Sequence, residues 1–148
     1  MSQFDLESLY KSLIRHVQTT IKAVKAAGIS TTLEYYAWDS RGEVQEAATA
    51  DLIGLAGWSF KENGGLWEIR TGLTLSTYND VNLFREVKIL NIIHDLWGEQ
   101  NPVPMVDKDT GVEFTQLVVV DFDMLPGGGS AEQRNYRPIG VDMLRTSS

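Results

Sequence analysis

Residues 52–77 have the sequence "LIGLAGWSFKENGGLWEIRTGLTLST", and this stretch decides the fold class. At its centre, Asn63-Gly64 favours a tight turn, because both residues tolerate positive φ. After the turn, apolar or β-branched residues occupy every second position: Trp67, Ile69, Thr71, Leu73 and Leu75. A period of two is typical of a half-buried strand. The stretch therefore predicts a β-hairpin.

The N-terminal segment predicts an amphipathic helix. Its apolar residues recur at spacings of three and four: Leu6, Leu9, Tyr10, Leu13, Ile14, Val17, Ile21 and Val24. Such spacing places them on one side of a helix. Asp5 or Ser2 can cap its start, and Gly28 can end it. His16 lies beside the apolar stripe, and we expect it to be a surface or half-buried histidine.

Residues 75–99, "LSTYNDVNLFREVKILNIIHDLWGE", predict a second helix that ends at Gly98. Four polar residues can cap its start: Ser76, Thr77, Asn79 and Asp80. Along one side of this helix lie four apolar residues: Phe84, Val87, Leu90 and Trp97. Four others widen that side: Ile89, Ile92, Ile93 and Leu96. We expect Phe84, Val87 and Leu90 to be buried against a sheet and His94 to be at least partly exposed.

The remaining segments predict strands and loops. Three β-rich stretches predict further strands: 29–38, 112–125 and 137–146. The "LVVV" centre of the second is typical of a strand buried on both faces. Polar, glycine- or proline-bearing stretches predict three loops, of which we expect the first and last to be the most mobile: 39–51, 99–111 and 126–136. The order α-β-β-β-α-β-β predicts one α+β domain over residues 1–148, with two helices packed on a mixed sheet of about five strands.

Composition excludes several classes of protein. The chain has 148 residues, a net charge of −7 and no cysteine, so it has no disulfide and no thiolate site. The 13 lysines and arginines form no cluster, which argues against tight binding to a nucleic-acid backbone and against a sequence-specific nucleic acid as a partner. Acidic residues near the start are untypical of a signal peptide, and no apolar run has the length of a membrane span.

A catalytic set is hard to find in the sequence. His94 and Asp95 are adjacent on a helix, so their side chains point about 100° apart and cannot form a dyad. No Gly-x-Ser-x-Gly motif is present, and the glycine-rich stretch at 126–130 lacks the Gly-Lys-Ser/Thr of a phosphate loop. For the segment that contains His94 and Asp95, the sequence therefore favours a structural helix.

Two acidic motifs have carboxylates close enough in sequence to suggest a metal site. The stretch "DKDTG" at 107–111 begins like a calcium loop, which needs glycine at position six and glutamate at position twelve. Val112 and Val118 occupy those positions, so a polar turn is favoured. Asp121 and Asp123 lie two apart on a strand and face the same way, which suits either a metal or a solvated strand edge. We predict no metal and no cofactor.

The order of elements, together with "WEIRTGLTLSTYNDVNLFREVKILNIIHDLW" and "NYRPIGVDMLRT", resembles the tail terminator and head–tail joining proteins of long-tailed bacteriophages. The resemblance implies a non-enzymatic virion protein at the neck, assembled in the host cytoplasm. It implies a homo-oligomeric ring, usually hexameric, that caps the tail tube and presents a surface to the head. The expected partners are therefore the tail tube protein and head connector proteins. The resemblance implies no catalytic residues in this chain.

A ring of this kind needs outward-facing contact residues. We expect apolar contacts from the region around the hairpin and polar contacts from the C-terminal strand: Trp38, Leu52, Ile53, Leu55 and Trp58, then Arg134, Tyr136 and Arg137. Two alternatives stay open. One is a metal-dependent enzyme that uses Asp121 and Asp123 with His94, and the other is an adaptor that binds partners by strand addition.

Overall fold

The structure is a computed structural model, and it describes residues 5–38, 49–129 and 133–146. Within these ranges, two α-helices and seven strands form an α+β fold, as the sequence predicts. In chain order they are α1 (Leu6–Ala26), β1 (Glu34–Tyr35), β2 (Leu52–Asn63), β3 (Leu66–Tyr78), α2 (Phe84–Trp97), β4 (Pro102–Val106), β5 (Glu113–Met124), β6 (Gly128–Gly129) and β7 (Arg134–Thr146). The sheet has more strands than the five expected.

One mixed sheet organises the described residues. Its strand order is β1-β2-β3-β7-β5-β4, with β6 paired to β7, and only the β1–β2 pair is parallel. Both helices pack on this sheet and contact each other. The strands of the sheet centre bury alternate residues beneath the helices, among them Ile69, Leu73, Leu75, Ile139, Val141 and Met143.

Helix α1 forms as its sequence predicts. The Asp5 carboxylate accepts a hydrogen bond from the Ser8 N–H at 2.8 Å and caps the first turn. After the last turn, Gly28 has a φ of +76°, a conformation that glycine adopts without strain. The predicted stripe supplies core residues: Leu9, Leu13, Val17, Ile21 and Val24. Ser2, the alternative cap, lies outside the described residues.

The predicted hairpin is confirmed, but its turn lies one residue later than expected. Asn63 pairs with Leu66, so the two loop residues are Gly64 and Gly65, with φ of +58° and +81°. Positive φ at both loop positions matches the right-handed twist of the strands. The closing strand β7 is longer than predicted and central, and it pairs with β3 from Leu66↔Thr146 to Tyr78↔Arg134.

Two predicted loops contain strands. Within 99–111, the segment Pro102–Val106 pairs with β5 as the edge strand β4. Within 126–136, the segment Gly128–Gly129 pairs with β7, which begins at Arg134. The residues at 39–48 and 130–132, where we expect mobile loops, lie outside the described residues. Both strands are short and rich in proline or glycine, which are typical of loops, so the sequence carries no clear strand signal for them.

The edge at β4 is closed to strand addition. Pro102 and Pro104 occupy alternate positions and have no N–H to donate. At the next position of the same alternation, the Val106 N–H donates to the Ser12 hydroxyl of α1 at 2.9 Å. An edge without available donors cannot extend the sheet.

Two further strand predictions need correction. Only Glu34–Tyr35 of the predicted strand 29–38 pairs in the sheet. The "LVVV" centre of β5 is not buried on both faces, because Leu117 and Val119 are buried while Val118 and Val120 are each 41% exposed. Helices cover only one face of the sheet at this point, so the strand alternates.

Candidate assembly surface

A buried ion pair ties the first turn of α2 to the sheet. The Arg85 guanidinium donates to both carboxylate oxygens of Asp51, at 2.6 and 3.0 Å. This carboxylate also accepts hydrogen bonds from the Thr31 hydroxyl and the Tyr78 N–H. Burial alone would raise the pKa of Asp51, but its hydrogen bonds and the charge of Arg85 hold that pKa below its ordinary value. The pair is therefore charged and fully bonded at neutral pH.

Two more carboxylates join this ion pair, and we call the whole set the anchor: Asp51, Asp80, Arg85, Glu86 and Arg137. The Asp80 carboxylate accepts hydrogen bonds from the N–H groups of Arg85 and Glu86, at 3.1 and 2.8 Å, and so caps α2. The buried Glu86 carboxylate accepts from Arg137 of β7, with Nη2 and Oε1 2.9 Å apart. Arg137 also donates to the carbonyl of Leu125, just after β5. The start of α2 is thus held by β2, β3, β7 and the end of β5.

Three large apolar side chains at and just before the start of α2 are exposed, and we call them the ridge: Val81, Phe84 and Val87 are 74%, 69% and 60% exposed. Phe84 and Val87 are neighbours one turn apart on α2, and Val81 precedes Phe84 by three residues. The expectation that Phe84 and Val87 are buried is therefore wrong, whereas Leu90 is buried as predicted. Large exposed apolar side chains that lie together are typical of interaction surfaces.

The charged anchor explains why α2 turns this way. Glu86, Ile89, Ile93 and Trp97 lie on one side of the helix and are all buried. Once Glu86 reaches Arg137, the side that carries the isoleucines must face the core. The sequence has apolar residues on more than one side of α2, so periodicity alone does not select between them.

Left-handed backbone shapes the turn beside the ridge. Asn79, Asn82 and Leu83 have φ of +53°, +70° and +58°, and Gln133 opposite them has +62°. Asparagine tolerates this region, but for Leu83 it costs roughly 1–2 kcal/mol. The Asn79 N–H donates to the Gln133 carbonyl at 2.8 Å and holds the turn in place. Backbone strain of this kind is concentrated at functional sites.

Two hollows flank the ridge. One has a volume of ≈ 290 Å³ and is lined by Asn79, Asp80, Val81, Gly129, Gln133, Arg134 and Asn135. The other has a volume of ≈ 340 Å³ and is lined by Ile29, Ser30, Asp80, Phe84, Arg85 and Lys88. Val81 and Phe84 therefore each form part of the wall of a hollow, so the ridge and hollows make an uneven surface with an apolar centre and polar surroundings.

The predicted apolar contacts near the hairpin divide into two groups. Leu52, Ile53 and Leu55 are 4%, 0% and 6% exposed, so the expectation that they face outward is wrong. Ile53 and Leu55 are buried because they are part of the hydrophobic core, and Leu52 lies where β2 is paired with both β1 and β3. Trp58, beyond the bulge in β2, is 38% exposed, and its ring lies 6.0 Å from that of Tyr10 on α1.

Trp38 and Tyr136 lie together. Their ring centroids are 5.8 Å apart, and the Trp38 indole N–H donates to the Thr74 carbonyl at 3.2 Å. Gly54 allows the backbone at Tyr36 to approach β2 closely, because a Cβ on residue 54 would lie 1.8 Å from the Tyr36 carbonyl oxygen. The two aromatic residues are half-buried and cover the strands on this side.

The two arginines proposed as polar contacts are engaged within the subunit. Arg134 is 3% exposed, donates to the Ser76 hydroxyl and lies 5.4 Å from the centre of the Tyr78 ring. Arg137 is committed to Glu86, as described above. Their expected role as outward-facing contacts is therefore wrong for Arg134, and Arg137 contributes through the anchor.

No catalytic arrangement emerges from the candidate residues. His94 is exposed as predicted, with its ring 5.3 Å from Phe122. Asp121 and Asp123 are both exposed. In the described part of the chain, no group of three histidine, aspartate or glutamate side chains could hold a metal ion.

The "DKDTG" stretch is a polar turn, as predicted. The Asp107 carboxylate accepts hydrogen bonds from the N–H groups of Asp109 and Thr110, at 2.9 and 3.0 Å. These bonds, led by the one from Thr110, lower the pKa of Asp107. Gly111 closes the turn with a φ of +71°.

His16 is more buried than the sequence suggests. It is 7% exposed, its ring lies 4.5 Å from the ring of Trp97, and its Nε2 is 2.8 Å from the Leu96 carbonyl oxygen. Burial lowers the pKa of His16, although the hydrogen bond to Leu96 opposes the shift. His16 thus joins α1 to the end of α2 in its neutral form.

No protein-family model matches the chain, and no curated protein matches it. Among the helices that the structure describes, none combines the length and apolar character needed to cross a membrane.

Proposed function

We propose that the chain is a structural subunit of a bacteriophage tail, similar to tail terminators. Its copies would form a ring, hexameric in the proteins it resembles, that caps the tail tube and offers a surface to the head connector. The observation that carries this proposal is the apolar ridge of Val81, Phe84 and Val87 on an ion-paired anchor.

The ridge is suited to a subunit contact for two reasons. Burial of an exposed side chain such as Phe84 contributes roughly 1.5–3 kcal/mol, and ring closure repeats each contact once per subunit. The anchor also holds the ridge in place before any partner arrives. A preorganised surface loses less conformational entropy on binding.

The charge of the chain is compatible with a position at the neck. During infection DNA passes through the ring that joins head and tail. A protein of net charge −7 that lines such a passage repels phosphate and does not retain the DNA. The proposed location is accordingly the virion, next to the head.

The two alternative functions have less support. Asp121 and Asp123 are solvated, and no third ligand accompanies them within the described ranges. The β4 edge is unsuited to strand addition because of its two prolines and the Ser12 hydroxyl, which confines this alternative to the other edge of the sheet, at β1 and β2. The ridge, in contrast, can form a contact between subunits that needs neither catalytic residues nor strand pairing.

The test is the assembly state of ridge variants. Phe84→Glu places a charge at the centre of the ridge, and Gln18→Glu places the same charge on an exposed position of the other helix, α1. We expect the wild-type chain and Gln18→Glu to assemble at high concentration or on tail tubes, and Phe84→Glu to remain a folded monomer. Sedimentation, mass measurement and electron microscopy of the assembled species provide the readout.

Phage particles test the function itself. Lysates carrying Phe84→Glu should contain tails of uncontrolled length or tails that never join heads. Trp58→Glu tests the second exposed aromatic position in the same way. Normal virions from Phe84→Glu would remove the ridge from the proposal, and turnover of a small-molecule substrate at about 1–1000 per second would remove the structural role altogether.

A further inference from the structure

The tip of the β2–β3 hairpin combines three features that matter chemically. Asn63 is exposed at the end of β2, and the next residue, Gly64, has no side chain to shield its backbone nitrogen. A Cβ placed at Gly64 would meet no atom within 4 Å, so the space around this residue is open. Gly64 also lies outside the β2–β3 ladder, whose last pair is Asn63↔Leu66.

We infer that Asn63 is a site of spontaneous deamidation, with water as the only co-reactant. The deprotonated backbone nitrogen of Gly64 attacks Cγ of Asn63 and forms a new N–Cγ bond. The Cγ–Nδ2 bond breaks, and Nδ2 leaves as ammonia after protonation, which yields a five-membered succinimide. Water then adds to either ring carbonyl and opens the ring to an aspartate or an isoaspartate. No oxidant or reductant takes part.

The other five asparagines of the chain lack this combination: Asn79, Asn82, Asn91, Asn101 and Asn135. Asn101 precedes Pro102, which has no backbone N–H to act as nucleophile. Asn91 is followed by Ile92 within α2 and Asn135 by Tyr136 within β7, whereas Asn63 is the last residue of β2 and is followed by Gly64, outside the ladder. Asn79 and Asn82 precede residues with side chains, which hinder approach to the nitrogen. The reaction is therefore selective for Asn63.

Both products change the hairpin tip. Either one adds a negative charge at an exposed position of an already acidic chain. The isoaspartate also inserts an extra carbon into the backbone at the last pair of the ladder. Because register in a two-residue hairpin depends on the length of the turn, this product loosens the Asn63↔Leu66 pair.

The experiment follows the native full-length chain during storage in mildly alkaline buffer. Peptide mass mapping locates deamidation, and methyl transfer by isoaspartyl methyltransferase reports the isoaspartate. We expect the unmodified peptide containing Asn63 to be lost before any other asparagine peptide. Asn63→Gln should abolish methyl acceptance, because the longer side chain must close a six-membered ring, and the matched control Asn91→Gln should accept methyl groups as the wild type does.

A second sample, denatured at the same pH, reports how Asn63 deamidates without the fold. It therefore distinguishes intrinsic reactivity of Asn63 from protection by the fold. Conversion at Asn63 in both the native and the denatured chain supports the inference. An intact Asn63 in the native chain overturns it, whether or not the denatured chain converts. Methyl acceptance by Asn63→Gln equal to that of the wild type would also overturn it, because the modified site would then lie elsewhere.

Discussion

Helices α1 and α2 are both rich in apolar residues, but the predicted apolar stripe is mostly buried only in α1, where Leu6 and Tyr10 are its exposed members. In α1 the regularly spaced Leu9, Leu13 and Val17 are all fully buried. In α2 the equally regular Phe84 and Val87 are exposed. The first helix has a single apolar stripe, whereas the second has more apolar residues than one buried side can hold.

The difference shows what orients a helix when apolar periodicity is ambiguous. Burial of either side of α2 would remove apolar area from water. Only one orientation also brings Glu86 to Arg137 and Arg85 to Asp51. A buried charge without its partner is strongly unfavourable, so these pairs decide which apolar residues remain for contacts outside the subunit.

The largest expected effect separates the two sides of α2. Trp97→Ala removes a fully buried side chain and should lower the free energy of unfolding by about 3–5 kcal/mol. Phe84→Ala changes an exposed position and should alter it by no more than about 0.5 kcal/mol. Chemical denaturation of the monomer measures both. A large loss in Phe84→Ala would mean that the ridge belongs to the core.

The anchor should account for the next largest effect. Asp51→Asn retains the shape of the side chain but removes its charge, and hydrogen bonds to charged groups contribute about 1.5–3 kcal/mol. Asp142→Asn is the matched control, because Asp142 forms a long, exposed contact with Arg70 at 3.8 Å. Equal destabilisation by the two substitutions in urea titrations would contradict the role given to the anchor.

Stability should depend on pH through His16, where α1 meets α2. Burial lowers the pKa of His16, so the unfolded chain binds the proton more readily than the folded chain does. The free energy of unfolding should therefore fall as pH drops through about 6.5, by at most about 1.4 kcal/mol per pH unit. The pKa of Asp51 is also lowered, but there hydrogen bonds and the charge of Arg85 outweigh burial and favour the charged form, so its contribution to stability is lost only as pH falls below about 3.9.

A substitution of His16 tests whether this pH dependence comes from that residue. His16→Gln retains an N–H donor for the Leu96 carbonyl but cannot be protonated in this range. Its stability should change less than that of the wild type between neutral pH and about pH 5.5. Identical pH profiles for the two proteins would assign the effect to other groups.

The smallest effect is expected at His94, on the exposed side of α2. His94→Ala should change the free energy of unfolding by no more than about 0.5 kcal/mol. It should also leave assembly unchanged, because the residue lies outside the ridge. A folded His94→Ala variant that fails in function would give the histidine a role that its surroundings do not suggest.

Particular elements illustrate how far the sequence could be followed. The hairpin, α1, the helical character of 84–97, its end at Gly98 and the polar turn at 107–111 were predicted, since each depends on local periodicity or on turn and cap residues. The strands β4 and β6 were missed because their signals are short and proline- or glycine-rich. The full length of β7 was missed because its first residues follow a glycine-rich segment.

The candidate surface was predicted less well for a related reason. Trp58 was expected to be exposed and is, but Leu52, Ile53 and Leu55 were placed outside although they are buried. Apolar residues in a strand give no sign of what covers them. The packing of other elements on the sheet decides that, and it encloses Ile53 and Leu55 in the core.

The sequence by itself determined the α+β class, the hairpin and the helical segments, because these depend on the spacing of neighbouring residues along the chain. The tertiary structure decided which side of α2 is buried and therefore that Val81, Phe84 and Val87 form a ridge. That choice depends on two ion pairs between residues distant in the chain: Asp51 with Arg85, separated by 34 positions, and Glu86 with Arg137, separated by 51. Local periodicity carries no information about partners so distant in the chain, and their requirement for charge pairing outweighs a nearly even apolar pattern.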